Sequence, residues 1–127
     1  TCANDLTMRD IQKREPQWVR AKTPDSFCPL GPVIATRDEI EDPQDLSVKL
    51  RLNGQLMQDS NTREMVFGVA ELISRLSRSM TLMPGDIILT GTPPGVGAGR
   101  DPQVFLKAGD SLEVEIESIG ILRSNMV

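Results

Sequence analysis

Histidine and tyrosine are missing from this sequence, and only four aromatic residues occur: Trp18, Phe27, Phe67 and Phe105. A surface that stacks single-stranded bases needs aromatic platforms, and one that neutralises phosphates needs a basic stripe. The formal net charge is −4, and the basic residues are scattered, with Lys13, Arg14, Arg20 and Lys22 the nearest thing to a cluster. Nucleic acid is therefore not an expected partner. Cysteine is equally scarce: Cys2 and Cys28 form no C-x-x-C pair and have no histidine to join them, which excludes a zinc finger within the chain. Two such thiols are expected to be free in a reducing compartment, the cytoplasm or, in a eukaryote, the mitochondrial matrix. No apolar run approaches the roughly 18 residues of a membrane helix, and no signal peptide opens the chain, so no membrane partner is expected.

What is present fits one domain. Over 127 residues, 39% are hydrophobic and 25% charged, enough for a core and a wet surface. With so few aromatics, that core must be built from Val, Ile, Leu and Met. The opening Thr-Cys-Ala-Asn-Asp, without Met, reads like the interior of a folded domain.

Residues 1–3 are small and apolar, as at the end of a buried strand. Residues 4–13 are predicted to form a short helix burying Leu6, Met8 and Ile11, ended before Pro16. On that helix Asp5, Arg9 and Gln12 share a face, being spaced i,i+4 and i,i+3. Residues 17–32 carry Pro24, Pro29, Gly31 and Pro32 and read as a loop. A short strand is predicted over 33–36 and an acidic connection over 37–45. Leu46, Val48, Leu50 and Leu52 alternate with Ser47, Lys49 and Arg51, the pattern of a half-buried strand. Asn53-Gly54 then signals a tight hairpin, with 55–58 as its return strand. Asn61 with Glu64 forms a capping pattern, and Met65, Val66, Val69, Leu72, Ile73 and Leu76 recur at helical spacing, predicting the main helix over 62–78. Residues 86–90 read as a buried strand, 91–99 as a Gly/Pro loop, and 111–117 and 121–126 as a final pair. Leu82-Met83-Pro84-Gly85-Asp86 is echoed by Leu106-Lys107-Ala108-Gly109-Asp110, which is read as turn chemistry.

Taken singly, the polar residues are ambiguous. Asp5 suits a hard cation or a helix N-cap. Arg9 suits a carboxylate, Gln12 a substrate oxygen, and Lys22 an oxyanion, but each also serves as an ordinary surface side chain. The 91–99 loop is neither a P-loop nor a G-x-G-x-x-G fingerprint. It offers the Thr92 hydroxyl and uncovered backbone N–H groups to a carboxylate or phosphate, or it is a plain tight loop.

Taken together they are specific. Asn4-Asp5-Leu6-Thr7-Met8-Arg9-Asp10-Ile11-Gln12, then Lys22 with Asp25-Ser26-Phe27-Cys28-Pro29-Leu30-Gly31-Pro32, then Asn53-Gly54 with Gln58 and Asn61-Thr62, then Leu82 through Gly97, including Thr90-Gly91-Thr92-Pro93-Pro94-Gly95-Val96-Gly97, closely resemble the fumarylacetoacetate hydrolase family. The resemblance runs in order over essentially the whole chain and implies the C-terminal portion of that family's catalytic domain, residues 1–127 as one domain with the N-terminal part outside this chain. The fold it implies is α+β, mainly β, a mixed β-sandwich roll with one main helix, usually in a homodimer. It also implies a Mg²⁺ or Mn²⁺ site, with Ca²⁺ a further candidate, and substrates bearing a 2-oxo or 2,4-dioxo acid. Members hydrolyse acylpyruvates, decarboxylate oxaloacetate-type acids, or isomerise hydroxy-dienedioates. By motif, Asp5 resembles a metal ligand, Arg9, Gln12 and Thr92 substrate contacts, and Lys22, with Gln12, catalytic groups.

The chemistry is coherent, because all three reactions pass through an enolate that a metal chelated by the 2-oxo acid would stabilise. The departures are also plain. The family's Glu-x-Glu metal pair and its hydrolases' water-activating His/Glu pair lie upstream of the matched segment, and this chain has no His. Its own Glu-x-Glu runs, within 113–117, sit on the outer face of a late strand and are not equated with that pair. The 127 residues alone are expected to be inactive. The competing readings are a non-catalytic dimerisation module and an anion-binding module built on the 91–99 loop without metal.

Overall fold

The computed structural model describes residues 1–127. Its strands are β1 (Cys2–Ala3), β2 (Leu30–Gly31), β3 (Ser47–Leu52), β4 (Gln55–Asn61), β5 (Ser111–Ile116) and β6 (Gly120–Asn125). Its helices are α1 (Arg9–Arg14), α2 (Val19–Lys22) and α3 (Val69–Leu76), with 3-10 turns at Thr62–Glu64 and Gly97–Gly99. The chain is α+β with strand predominating. No helix is long and apolar enough to cross a membrane.

Two antiparallel sheets form. One is the pair β1-β2; the other runs β4-β3-β5-β6. Alternation carries the larger sheet, and its inward residues supply the small core. Cys2 of β1 packs on Val114 and Leu122 of β5 and β6, with Leu50, Ile116 and Ile119 around them. Burial raises the pKa of the Cys2 thiol, whose Sγ–H donates to the Gly120 carbonyl at 3.5 Å. Neither cysteine is in a disulfide.

The Asn53-Gly54 turn forms as predicted, with φ of 51° and 79°. Asn53 also ties the hairpin to β5: its Nδ2 donates to Asp110 at 2.9 Å and its Oδ1 accepts from the Ser111 N–H at 2.8 Å. The sequence echo is a structural echo. Asp86 accepts from the Met83 N–H at 2.7 Å and Asp110 from the Lys107 N–H at 2.8 Å, across turns whose third residues, Gly85 and Gly109, have φ of 99° and 89°.

Six local expectations are corrected. The first helix begins at Arg9, not residue 4, because the preceding donors are committed elsewhere: the Asn4 N–H to Pro29 and the Met8 N–H to Ala21. The 17–32 loop contains the helical turn α2, in the proline-free stretch between Pro16 and Pro24. No strand forms at 33–36; Pro32 has no N–H to continue the β2 pairing, and Ile34 is 82% exposed. The main helix runs only Val69–Leu76. Asn61 does cap, but its side chain accepts from Arg63 N in the 3-10 turn, and α3 is started afresh by Gln44, whose Oε1 accepts the Val69 N–H at 2.6 Å. Residues 86–90 form no strand, and Ile87 is 58% exposed. The return strand β4 is longer than predicted, reaching Asn61 opposite Ser47.

The Glu-x-Glu run of β5 is a cross-strand charge ladder. Glu115 accepts from Arg51 at 2.6 Å, Glu113 from Arg123 at 2.9 Å, and Glu117 from the Ser47 N–H at 3.0 Å. The Arg51 hydrogen bond holds the Glu115 carboxyl below its ordinary range, and Asn53 with the Lys107 N–H does the same for Asp110. Groups whose folded pKa is depressed contribute stability above their unfolded values, near pH 4, and lose it as pH falls through the folded values. The thermal midpoint is therefore expected to drop as pH falls below about 4, and Asp110→Asn to flatten part of that drop. A melting series against pH checks it; an identical profile in the variant would remove Asp110 from the account.

Candidate active site

The β1-β2 pairing closes a loop over residues 4–29. Cys2 pairs with Gly31 and Ala3 with Leu30, and the Asn4 N–H extends the zipper by donating to Pro29. Inside that loop α1 packs against α2 across Ala21, which is fully buried and whose carbonyl accepts the Met8 N–H at 2.9 Å. A small residue is required where two helical turns approach this closely. The packing aims the last residue of α2, Lys22, back at the segment following β1.

There Lys22 Nζ donates to Asp5 Oδ2 at 2.5 Å and to Thr7 Oγ1 at 3.2 Å. The pair is partly open, with side-chain exposures of 29% for Lys22 and 37% for Asp5. An ion pair this accessible adds at most about 1 kcal/mol to stability, so its effect is chiefly to fix an ammonium group at a solvent-facing position. Asp5 does not cap α1; Met8 occupies that position. Nor does Asp5 share a helical face with Arg9, since residues 4–8 are not helical.

Arg9 and Gln12 do share a face of α1, and the Arg9 guanidinium donates to Gln12 Oε1 at 2.8 Å. That bond fixes the amide with its Nε2 turned away as a free donor. Arg9 also lines a depression of about 600 Å³ with Asp10, Lys13, Arg14, Gln103 and Phe105.

Thr92 stands apart from these groups in the hydrogen-bond network. Its Oγ1 accepts from Gln58 Nε2 at 3.0 Å, and the same nitrogen donates to the Pro93 carbonyl at 2.6 Å. The loop is docked on the edge strand β4 by a second clamp: Arg100 donates to the carbonyls of Gly95 at 3.0 Å and Met57 at 2.5 Å. Both clamps depend on a bulge. The β3-β4 register shifts between Leu50 and Arg51, so that Leu50 faces Gln58 and Met57 is the extra residue. Thr7 and Gln58 were not singled out from sequence as site residues. Plain alternation places Met57, not Gln58, opposite Leu50; only the bulge reverses this.

A Mg²⁺ or Mn²⁺ ion needs several oxygen ligands. No group of three or more His, Cys, Asp or Glu side chains gathers anywhere in this chain. Asp5 offers one oxygen, Oδ1, that accepts no hydrogen bond, while Lys22 occupies the other. These residues do not make a metal site by themselves.

The pattern described as "Fumarylacetoacetate (FAA) hydrolase C-terminal" matches residues 1–127. A mitochondrial oxaloacetate tautomerase of Bos taurus is 52% identical over 129 residues, covering 100% of this chain and 41% of that protein. The solved fumarylacetoacetate hydrolase of Exiguobacterium antarcticum superposes with a TM-score of 0.95 at 48% identity, over 98% of this chain and 44% of the other. A maleylpyruvate hydrolase of Sphingobium sp. SYK-6, solved with a manganese(II) ion and pyruvate, matches at 41% identity and a TM-score of 0.78, over 86% of this chain and 39% of that one. The chain thus spans about two-fifths of the length of the relatives it matches.

Proposed function

Because this chain belongs to the fumarylacetoacetate hydrolase family, we propose that it is the C-terminal part of a divalent-metal-dependent enzyme acting on 2-oxo or 2,4-dioxo acids. The observation that carries the reading is the convergence of Asp5, Thr7 and Lys22, with the Arg9–Gln12 pair in the same 5–22 segment. Asp5 contributes one metal ligand through Oδ1, and the others come from polypeptide beyond these residues. The Arg9 guanidinium binds a substrate carboxylate. The Lys22 ammonium and the Gln12 Nε2 amide donate to the oxygen on which negative charge develops as the enolate forms. The Thr92 hydroxyl takes a carboxylate oxygen. Hydrolysis, decarboxylation and tautomerisation all draw on this set. The mitochondrial relative supports a mitochondrial location, and the one solved with manganese(II) and pyruvate supports a 2-oxo acid substrate and a divalent metal.

A second reading, a non-catalytic dimerisation module, draws on surface chemistry. Val66 is 88% exposed, and Trp18, Ile34 and Ile87 are also largely exposed. Apolar area of this kind is buried against further polypeptide or a second copy in a homodimer.

The test is an NMR assay of the full-length protein with acetylpyruvate, oxaloacetate and a hydroxy-dienedioate, with and without Mg²⁺. Metal-dependent conversion of one of them is expected and selects the reaction. No conversion, from a folded protein that also fails to bind Mg²⁺, favours the module. In the same protein Asp5→Ala is expected to weaken Mg²⁺ binding at least about tenfold, the scale for loss of a ligand or its immediate support. Unchanged affinity by calorimetric titration would sink the ligand assignment.

A further inference from the structure

Gln58 is the one polar residue among the six that are buried, with 8% of its surface exposed. A buried amide must satisfy its hydrogen bonds, and here the partners also fix its orientation. The Pro93 carbonyl at 2.6 Å can only accept, so the atom facing it is Nε2 and not Oε1. The same nitrogen faces Thr92 Oγ1 at 3.0 Å, where the hydroxyl oxygen must accept. The hydroxyl proton has one acceptor within the chain, the Pro93 carbonyl at 3.5 Å, which is the long limit for a hydrogen bond and leaves the proton available to a closer oxygen. Thr92 is itself exposed.

We infer that Gln58 is a positioning residue that makes Thr92 an obligatory donor, turning its hydroxyl proton outward to an anionic oxygen acceptor such as a substrate carboxylate. The inference rests on the proposed role of Thr92 as a carboxylate contact. The bulge at Met57 brings Gln58 into register for this task, and the Arg100 clamp holds the rest of the loop independently of it. A glutamate of the same shape would reverse the polarity: its carboxylate would accept the Thr92 proton and repel the Pro93 carbonyl.

The experiment uses full-length protein with Mn²⁺ and pyruvate as the probe, and reads pyruvate affinity by NMR titration in the wild type, Thr92→Val, Gln58→Met, Gln58→Glu and the Gln58→Met/Thr92→Val double variant. Thr92→Val and Gln58→Met are each expected to weaken binding roughly tenfold, the scale of a lost hydrogen bond to a charged group. Gln58→Glu is expected to weaken it at least as much as Gln58→Met. The double variant is expected to bind no worse than Thr92→Val alone, because Gln58 acts only through that hydroxyl. A purely structural Gln58 would lower the melting temperature and weaken binding equally with or without Thr92, and that additive result overturns the inference. Weakening by Thr92→Val with wild-type affinity in Gln58→Glu overturns it while leaving the Thr92 contact standing. Unchanged affinity in Thr92→Val overturns both.

Discussion

Lys22→Met in the full-length protein is expected to lower turnover of its 2-oxo acid by at least about a hundredfold, with KM moved much less. A preorganised donor aimed at developing charge acts mainly in the transition state, and removing one typically costs two to three orders of magnitude in kcat. The geometry supports this asymmetry. The ammonium is held by Asp5 and Thr7 on one side and open on the other, so it needs no rearrangement to meet an oxyanion. Methionine keeps the length and apolar stem while deleting the charge. Because the Lys22–Asp5 pair is partly exposed, its loss should shift the melting temperature by only a few degrees. Lys22→Arg is expected to recover little, since a planar fork cannot replace a compact ammonium between two close oxygens. Steady-state kinetics with a parallel melting curve decide the matter. Wild-type kcat in Lys22→Met would reduce Lys22 to a counter-ion for Asp5.

Gly95→Ala is the second large effect, and it falls on stability as well as activity. Gly95 has φ of 107°, where side chains are disfavoured, and a Cβ there would run into the Met57 carbonyl group and meet Gln58 Cγ at 3.3 Å. The obstacle is backbone of β4, which the ladder to β3 prevents from moving cheaply. Overpacking and backbone strain together are expected to cost about 3 kcal/mol. The loop would lift off β4, taking Thr92 from the Gln58 amide. Gly91→Ala separates the two causes: it has φ of 115°, but nothing lies within 4 Å of its added carbon, so only the backbone term applies. Denaturant melts of both variants test the comparison. Equal destabilisation would show that the collision with Met57 does not matter.

How much of the fold is legible in the sequence depends on whether each element's partners are local. Alternation in 46–52 and 111–117 and the Asn53-Gly54 turn are local signals, and the central sheet follows them closely. The repeated Gly-Asp turns were also legible, since each needs only its own few residues. Periodicity predicts helix over 4–8, but it does not see that the Asn4 and Met8 N–H groups go to Pro29 and Ala21, partners distant in sequence. Helix 62–78 was overextended for the same reason: Gln44, distant in sequence, decides where α3 starts. Asp5, Arg9, Gln12, Lys22 and Thr92 are expected site residues on their resemblance to the family's motifs. The structure joins Asp5 to Lys22 and Arg9 to Gln12, and leaves Thr92 to Gln58. Gln58 is legible as part of the motif but not as a site residue, because one bulged residue exchanges inside for outside and no pattern of alternation announces that exchange.

The packing of β1 on β5 and β6 makes the Asp5–Lys22 loop depend on strands far along the sequence. Cys2 reaches Gly120 across 118 positions of sequence, and Leu122 lies under Gly31, whose strand closes the loop carrying Asp5 and Lys22. Asp5 and Lys22 are therefore synthesised well before the strands β5 and β6 that support their loop. Contacts of such long range are slow to form, because chain entropy must be surrendered before they give anything back. A nascent chain that has delivered every proposed catalytic group through Thr92 would still lack the strands against which the Asp5–Lys22 loop is braced. Damage to β5 or β6 is thus a lesion of the Asp5–Lys22 site, about a hundred residues away in sequence.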